Sequence, residues 1–338
     1  MVAGKKLKLS HILKLITGLA VVFIASFGTA SAAPEPSKVV GPNACAECHK
    51  TETANWKTTH HFSTFRAMPR EKKTKVIAKK LGIRRVKSQS LCLDCHFTSQ
   101  IIKGKVKPIS GISCESCHGA GKGWIKIHSE FSGKKKGTES KAQAVERWKK
   151  AEAAGMIRPS NLYKLAKNCY SCHVVPKEKL VNVGGHPAGS AFELVSWSQG
   201  EVRHNTWYTK TNVPASAKRK RILYVVGLAV ELETALRAVG KATQKKAYAV
   251  SMARRAAAAR KKLIKVARAL PKAKELVAII KASKSARLKL NNDAALSAAA
   301  DKVGMETLAV VGKYDGSTFS AIDKLIPGPD KYIGKPSQ

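Results

Sequence analysis

The sequence predicts a mainly α-helical protein in two parts, in which a region with little regular secondary structure precedes a C-terminal helical bundle. All eight cysteines lie between residues 45 and 172. Residues 213–312 contain no Cys, His or Trp and are rich in Ala, Lys, Arg and Leu. Apolar residues in this second part recur at helical spacing. These three observations divide the chain near residue 213.

Residues 1–32 have the pattern of a secretory signal peptide. A basic start is followed by an apolar stretch, 15–27, and then by Ala30-Ser31-Ala32, small residues of the kind found at a cleavage site. We therefore expect a mature N-terminus at Ala33 and a periplasmic location. The alternative is an uncleaved membrane anchor, because residues 15–33 are almost long enough to span a bilayer. We expect no transmembrane segment in the mature chain.

Every cysteine belongs to one of four Cys-x-x-Cys-His motifs. The motifs are Cys45–Cys48–His49, Cys92–Cys95–His96, Cys114–Cys117–His118 and Cys169–Cys172–His173. This pattern attaches a c-type haem (heme c): both thiols bond to the porphyrin, and the histidine becomes the proximal iron ligand. A zinc site, a redox dithiol or a disulfide also uses paired cysteines, but none requires a histidine after each pair. The sequence therefore predicts a tetrahaem cytochrome c domain, residues 33–212.

Five further histidines are candidates for the second axial position of the four irons. They are His60, His61, His128, His186 and His204, and all of them lie before residue 213. A haem with protein ligands on both faces transfers electrons, whereas a haem with an open face binds and transforms small molecules. Because His60 and His61 are adjacent, we expect His61 to face iron and His60 to be exposed or to support a ligand. We discount Met68, since the histidines suffice.

The chain is strongly basic, with 62 Lys and Arg against 22 Asp and Glu and a net charge of +40. Predicted export and the lack of a recognition motif argue against nucleic-acid binding. Haem propionates, about eight for four haems, would offset part of the charge. The remaining excess favours docking to acidic redox partner proteins or anionic lipid surfaces. A solvated basic surface with no specific partner explains the charge equally well.

Residues 213–312 predict an antiparallel bundle of three or four helices. The apolar positions are Ile222, Leu223, Val226, Val230, Leu236, Leu263, Val266 and Leu270. Gly240, Pro271 and the pair Asn291–Asn292 are the expected breaks between helices. The bundle serves either to dock a partner or to pack against the haem region, and packing is the simpler interpretation. Residues 313–338 predict an irregular tail.

The order and spacing of the motifs resemble those of the tetrahaem cytochromes similar to cytochrome c-554 of ammonia-oxidising bacteria. The first motif is followed by Trp56 and His61, as in that family. The most specific match is the third motif, Gly111-Ile-Ser-Cys-Glu-Ser-Cys-His-Gly119, with His128 ten residues after its histidine. The resemblance covers residues 41–173, and the C-terminal bundle resembles no family known to us.

The resemblance implies crossed ligation, in which a histidine near one motif ligates a distant haem. The implied pairs are His128 with His49, His61 with His173, and either His204 or His186 with His118. In the family, the second haem has an open distal face that binds nitric oxide. This chain departs from the family by offering two histidines after the fourth motif. One of them remains for the haem of His96, which puts the reactive site in doubt.

The sequence favours a periplasmic electron carrier with mostly bis-histidine haems and no catalytic residues. The alternative is a redox enzyme that acts on a nitrogen oxide or a hydroxylamine-type substrate at one five-coordinate haem. No Cys-x-x-Cys-Lys variant marks a catalytic haem. A third interpretation is a scaffold role, in which the basic bundle holds the cytochrome against a partner.

Overall fold

A computed structural model describes residues 33–88, 91–207 and 209–337. The predicted signal peptide, residues 1–32, lies outside the described residues. The fold is mainly α-helical with a helical C-terminal region, which confirms the predicted fold class. In the part of the chain that the structure describes, no helix has both the length and the apolar character needed to cross a membrane.

The region that carries the motifs consists of short helices and one β-hairpin. The helices are α1 (Pro42–Ala46), α2 (Lys50–Lys57), α3 (His60–Ala67), α4 (Lys72–Lys80), α5 (Leu93–His96), α6 (Cys114–His118), α7 (Ile125–Ser129), α8 (Lys141–Ala153), α9 (Leu162–His173), α10 (Glu178–Asn182) and α11 (Leu194–Ser198). Strands β1 (Thr98–Ile102) and β2 (Lys105–Ser110) pair antiparallel. Short 3₁₀ turns at Met68–Arg70, Gly121–Gly123 and Phe131–Gly133 connect some of the helices.

Local sequence explains where the longer of these helices begin. The side chain of Thr59 accepts a hydrogen bond from the amide of Phe62 and caps α3. Ser140 forms a capping box at the start of α8, and Asn161 caps α9. Because α9 ends at His173, the cap at Asn161 fixes the beginning of the helix that carries the fourth motif.

Four longer helices form the C-terminal bundle. They are α12 (Ala217–Lys241), α13 (Ala247–Ala269), α14 (Lys274–Lys284) and α15 (Asp293–Lys313). The central helix, α12, packs against α13 and α15 within the bundle and against α9 and α11 of the motif region. The eight apolar residues that the sequence placed in the bundle core are all buried. The helices end within two residues of Gly240 and Pro271, and α15 begins directly after Asn292.

A buried carboxylate joins the bundle to the motif region. Glu233 lies on α12, is 1% exposed, and accepts hydrogen bonds from the hydroxyl of Tyr163 at 2.8 Å and from Nζ of Lys167 at 3.1 Å. Arg237 on the same helix donates to it at 2.9 Å. Burial, and the neighbouring Glu233, raise the pKa of Tyr163 well above its ordinary value. The bundle therefore packs against the motif region through polar as well as apolar contacts.

The tail, for which we predicted an irregular structure, packs in part against the core. It contains 3₁₀ turns at Ser320–Leu325 and Pro329–Lys331, and Phe319 and Ile322 are buried. The backbone of Ile333 donates to the carbonyl of Ser196 and accepts from the amide of Glu201. Burial of two large apolar side chains gives the tail a fixed place that its Pro and Gly content does not reveal.

Candidate haem-binding sites

The four motifs lie at the ends of short helices, which brings each histidine to a helix terminus. Helices α5, α6 and α9 end at the histidine of the second, third and fourth motifs, and His49 directly precedes α2. After α6 the chain turns at Gly119, whose φ of +85° and contact with the carbonyl of Gly155 leave no room for a Cβ. The turn lets Nδ1 of His118 reach the carbonyl of Ile157 at 2.9 Å.

Thiol contacts show which motifs are neighbours. Cys45 and Cys114 are hydrogen-bonded to each other, which raises the pKa of Cys45. A hydrogen bond between the thiols of Cys95 and Cys172 likewise raises the pKa of Cys95.

The third and fourth motifs are also joined. Nδ2 of Asn168 on α9 donates to the carbonyl of Ser116 on α6 at 2.6 Å. Burial, followed by the nearby Cys172, raises the pKa of Cys117 to about 11. Taken with the thiol contacts, this contact gives the spatial order first, third, fourth, second.

Each motif histidine faces one other histidine across a narrow gap. The ring-centroid distances are 6.3 Å for His49–His128, 6.2 Å for His96–His186, 6.2 Å for His118–His204 and 6.2 Å for His173–His61. An iron between two imidazoles needs about 6.3 Å, since each metal–nitrogen bond is about 2.0 Å and a ring nitrogen lies about 1.15 Å from its centroid. The four pairs therefore fit a six-coordinate metal of the haem type.

Hydrogen bonds at Nδ1 fix the orientation of most of these rings. The partners are the carbonyl of Ile157 for His118, Ile125 for His128, Pro187 for His186 and Val202 for His204, and the hydroxyl of Ser190 for His173. A carbonyl can only accept, so the proton of each of those four imidazoles lies on Nδ1. The lone pair of Nε2 is then available to a metal, as is common for metal-binding histidines.

Burial keeps several of these imidazoles neutral. Desolvation, followed by the neighbouring His186, lowers the pKa of His96 to about 4. Desolvation is also the main cause that lowers the pKa of His118 to about 4 and that of His173 to about 3. Burial also lowers the pKa of His61 and His128. Neutral imidazole is the form that binds a metal, so the sites are prepared for ligation at neutral pH.

The two adjacent histidines at the start of α3 face different surroundings. His61 faces His173, whereas the side chain of His60 is 88% exposed. Nδ1 of His60 lies 2.6 Å from Oε2 of Glu201. Met68 lies in a 3₁₀ turn beyond the end of α3. The structure thus brings His61, and not His60, to a motif histidine.

Aromatic side chains that sequence reasoning did not assign to the sites surround the histidine pairs. Phe192 stacks on His173 with centroids 4.2 Å apart, and Trp197 lies 4.8 Å from the same ring. Trp207 lies 4.4 Å from His49. The concentration of all five tryptophans before residue 213 was the available signal, but it did not indicate which residue meets which site.

Comparison with known proteins supports the haem assignment. Residues 44–119 match a family model described as cytochrome c554 and c-prime. Cytochrome c-554 of Nitrosomonas europaea is 29% identical over 164 residues, which cover 46% of this chain and 65% of the relative. The chain thus spans less than two thirds of that relative's length. No solved structure matches the chain. The predicted resemblance is confirmed in the motif region, and it implies covalently bound haem c.

Proposed function

We propose that this protein is a periplasmic electron carrier with four covalently attached haems c, each ligated by two histidines. The observation that carries the proposal is the set of four histidine pairs, whose centroid distances match two imidazoles on one iron. When bound, each haem supplies a centre that accepts and releases one electron. The ligand pairs are His49 with His128, His96 with His186, His118 with His204, and His173 with His61.

The chain's own residues hold and orient the groups. The paired thiols of each motif would attach one porphyrin, and the following histidine would bind from the helix end. Carbonyl acceptors at Nδ1 of His118, His128, His186 and His204 hold the rings in one orientation. Burial of His96 and His173 favours the neutral ligand. Fixed ligands suit electron transfer, since they need little rearrangement when the charge of the site changes.

The contacts between motifs support a single electron path. Cys45 meets Cys114, Asn168 links the third and fourth motifs, and Cys95 meets Cys172. Electrons would therefore pass between the sites in the order first, third, fourth, second, in either direction.

The position of His186 favours a carrier over an enzyme. The enzymatic alternative requires an open face at the haem of His96, where the resembled family binds nitric oxide. In this chain, the ring of His186 lies 6.2 Å from that of His96, and its Nδ1 donates to the carbonyl of Pro187 at 2.7 Å. This ring would fill the position at which a small molecule would otherwise bind.

The number of haems tests the proposal directly. Intact mass spectrometry of the mature protein, together with a haem assay per chain, should give four covalent haems and an N-terminus at Ala33. Potentiometric titration should then show four one-electron steps. A chain with fewer than four haems, or a haem released by acidified solvent extraction, would contradict the proposed cofactor set.

A further inference from the structure

Helix α13 and its neighbour α14 form the most one-sidedly charged surface of the bundle. Residues 241–290 contain 16 Lys and Arg and one acidic residue, Glu275. Seven of the basic residues are on α13, which has no acidic residue. Glu275 itself is paired with Lys313 at 2.8 Å. Among the described residues, Arg255 is the one basic side chain of α13 that forms an ion pair.

The exposed charges of α13 line up along one side of the helix. Arg254, Lys261, Lys265 and Arg268 are exposed, while Leu263 and the other apolar residues face the core. Residues three or four apart on a helix lie about 5–6 Å from each other, closer than the Debye length of about 8 Å at physiological salt. Their potentials therefore add, and their mutual repulsion weakens the helix. The exposed side of α13 therefore presents a continuous strip of positive charge to the solvent.

Helix α13 meets the motif region at the fourth motif, through Arg255, and Arg254 of its charged side lines the cleft found there. Nη2 of Arg255 donates to the carbonyl of Ser190 at 2.6 Å, and the hydroxyl of Ser190 lies 2.9 Å from Nδ1 of His173. Between α13 and the segment 188–193 an open cleft of about 520 Å³ is lined by Phe192, Arg254 and Lys262. Phe192 in turn stacks on His173. The side chain of Phe192 thus lines the cleft and also contacts His173, a predicted iron ligand.

The two acidic residues that line the cleft, Glu231 and Glu193, both accept hydrogen bonds from other groups of this chain. Glu231 accepts from Arg255 at 2.9 Å. Glu193 accepts from the amides of Val195 and Ser196 and caps α11. Within the described part of the chain, neither Arg254 nor Lys262 has an acidic partner at ion-pair distance. The three basic residues of the cleft, Arg254, Arg255 and Lys262, outnumber its two acidic ones, so it carries a net positive charge.

We propose that an acidic redox protein docks on the basic face of α13, with a carboxylate in the cleft, and exchanges electrons with the haem of His173. This inference rests on the proposed function, since it requires a haem at that site. Charge complementarity would steer the partner to the face. Phe192 would lie between the partner and His173. The fourth site adjoins both the third and the second site, so electrons that enter there could pass to either one.

The test is the rate of electron transfer from flavodoxin hydroquinone, an acidic one-electron donor protein, to the oxidised holoprotein. The variant is Arg254→Glu/Lys261→Glu/Lys265→Glu, which changes three exposed residues that form no ion pair with any other described residue. At low salt we expect a fall in the second-order rate constant of about tenfold or more. The wild-type rate should decrease as salt is added, and the rate of the variant should depend on salt much less.

Two matched variants with the same change in charge serve as controls. One is Lys103→Glu/Lys105→Glu/Lys107→Glu in the β-hairpin, which should change the rate less than twofold. The other is Lys72→Glu/Lys73→Glu/Lys75→Glu on α4, a second basic segment. An equal loss in all three variants, or the largest loss in the α4 variant, would overturn the assignment of the docking face to α13.

Further measurements separate this proposal from its alternatives. Binding to vesicles with and without anionic lipid tests a membrane partner. A loss of vesicle binding with an unchanged flavodoxin rate would overturn the proposal. Haem content and reduction by dithionite, measured in each variant, test the proposed function separately. If the triple variant loses haem, Lys261→Gln/Lys265→Gln repeats the test with a smaller expected loss of rate.

Discussion

His186 faces His96, the histidine of the second motif, with ring centroids 6.2 Å apart. His186 lies on a loop between α10 and α11, and its amide donates to the carbonyl of Leu180. The tight turn before it depends on Gly184, where a Cβ would contact the carbonyl of Leu180 at 2.6 Å. In the proposed bis-histidine site, this loop would hold the ring that occupies the second axial position of the iron.

Removal of the imidazole should convert a closed site into an open one. We expect His186→Ala to produce a high-spin ferric signal from one of the four irons and to bind nitric oxide there, because no protein ligand remains on that face. The measurement is an EPR spectrum before and after addition of nitric oxide. In the control, His60→Ala, all signals should stay low-spin. A low-spin spectrum of the His186 variant would contradict the assignment.

The backbone beside His61, another of the four proposed distal histidines, is also tightly packed. A Cβ on Gly111 would lie 2.1 Å from the carbonyl of His61, so Gly111→Ala must displace the segment that carries this ring. We expect destabilisation of about 2 kcal/mol or more and an altered spectrum of the haem of His173. Denaturation curves and EPR check both effects. Gly312→Ala on α15 has open space and should instead be neutral or stabilising by up to about 1 kcal/mol.

The contact between the two parts should respond to loss of its buried charge. Glu233→Gln removes the negative charge next to Lys167 and Arg237, and we expect a loss of about 2 kcal/mol in the free energy of unfolding. The haem spectra should stay unchanged, because Glu233 contacts no predicted iron ligand. In the control, Glu306→Gln, the change should stay within about 0.5 kcal/mol. Equal stability of the two variants would show that the buried contact does not hold the parts together.

Stability should also depend on pH through a paired carboxylate near His128. Arg147 donates to both oxygens of Glu139 at 2.7 Å, and these bonds lower the pKa of Glu139 from 4.5 to about 2. Because the pKa is lower in the folded state, the stabilisation is complete above pH 4.5 and is lost as the pH falls towards 2. We therefore expect Glu139→Gln to be less stable than the wild type at pH 7, with the difference vanishing near pH 2.

Urea denaturation at several pH values measures this effect. The control is Glu146→Gln, which removes an exposed carboxylate from α8, the helix that carries Arg147. Since acid unfolding has many contributors, the difference between each variant and the wild type is the quantity of interest. A difference for Glu139→Gln that stays constant from pH 7 to pH 2 would contradict the proposed origin of the low pKa.

The sequence was most informative about features that depend on short motifs or on regular spacing. The four Cys-x-x-Cys-His motifs predicted the haem sites, and helical spacing of apolar residues predicted the buried positions of α12 and α13. The choice between His186 and His204 for the third site stayed open, because it depends on how distant segments cross. The structure brings His204 to His118 and His186 to His96.

Other features had no local signal. The fixed tail depends on Phe319 and Ile322 reaching the core, and two apolar residues among Pro and Gly form no periodic pattern. The contact between Phe192 and His173 joins residues from different segments, so spacing along the chain does not indicate it. Long-range contacts of this kind follow from packing, which the sequence specifies only through the whole fold.

EPR of the oxidised, purified protein tests whether each of the four proposed haems has two axial histidines. We expect low-spin ferric signals alone, and a spectrum that nitric oxide leaves unchanged, because each iron would already have six ligands. A high-spin signal in the wild type that nitric oxide abolishes would contradict bis-histidine ligation of all four haems. Such a signal would show an open haem and favour the enzymatic alternative.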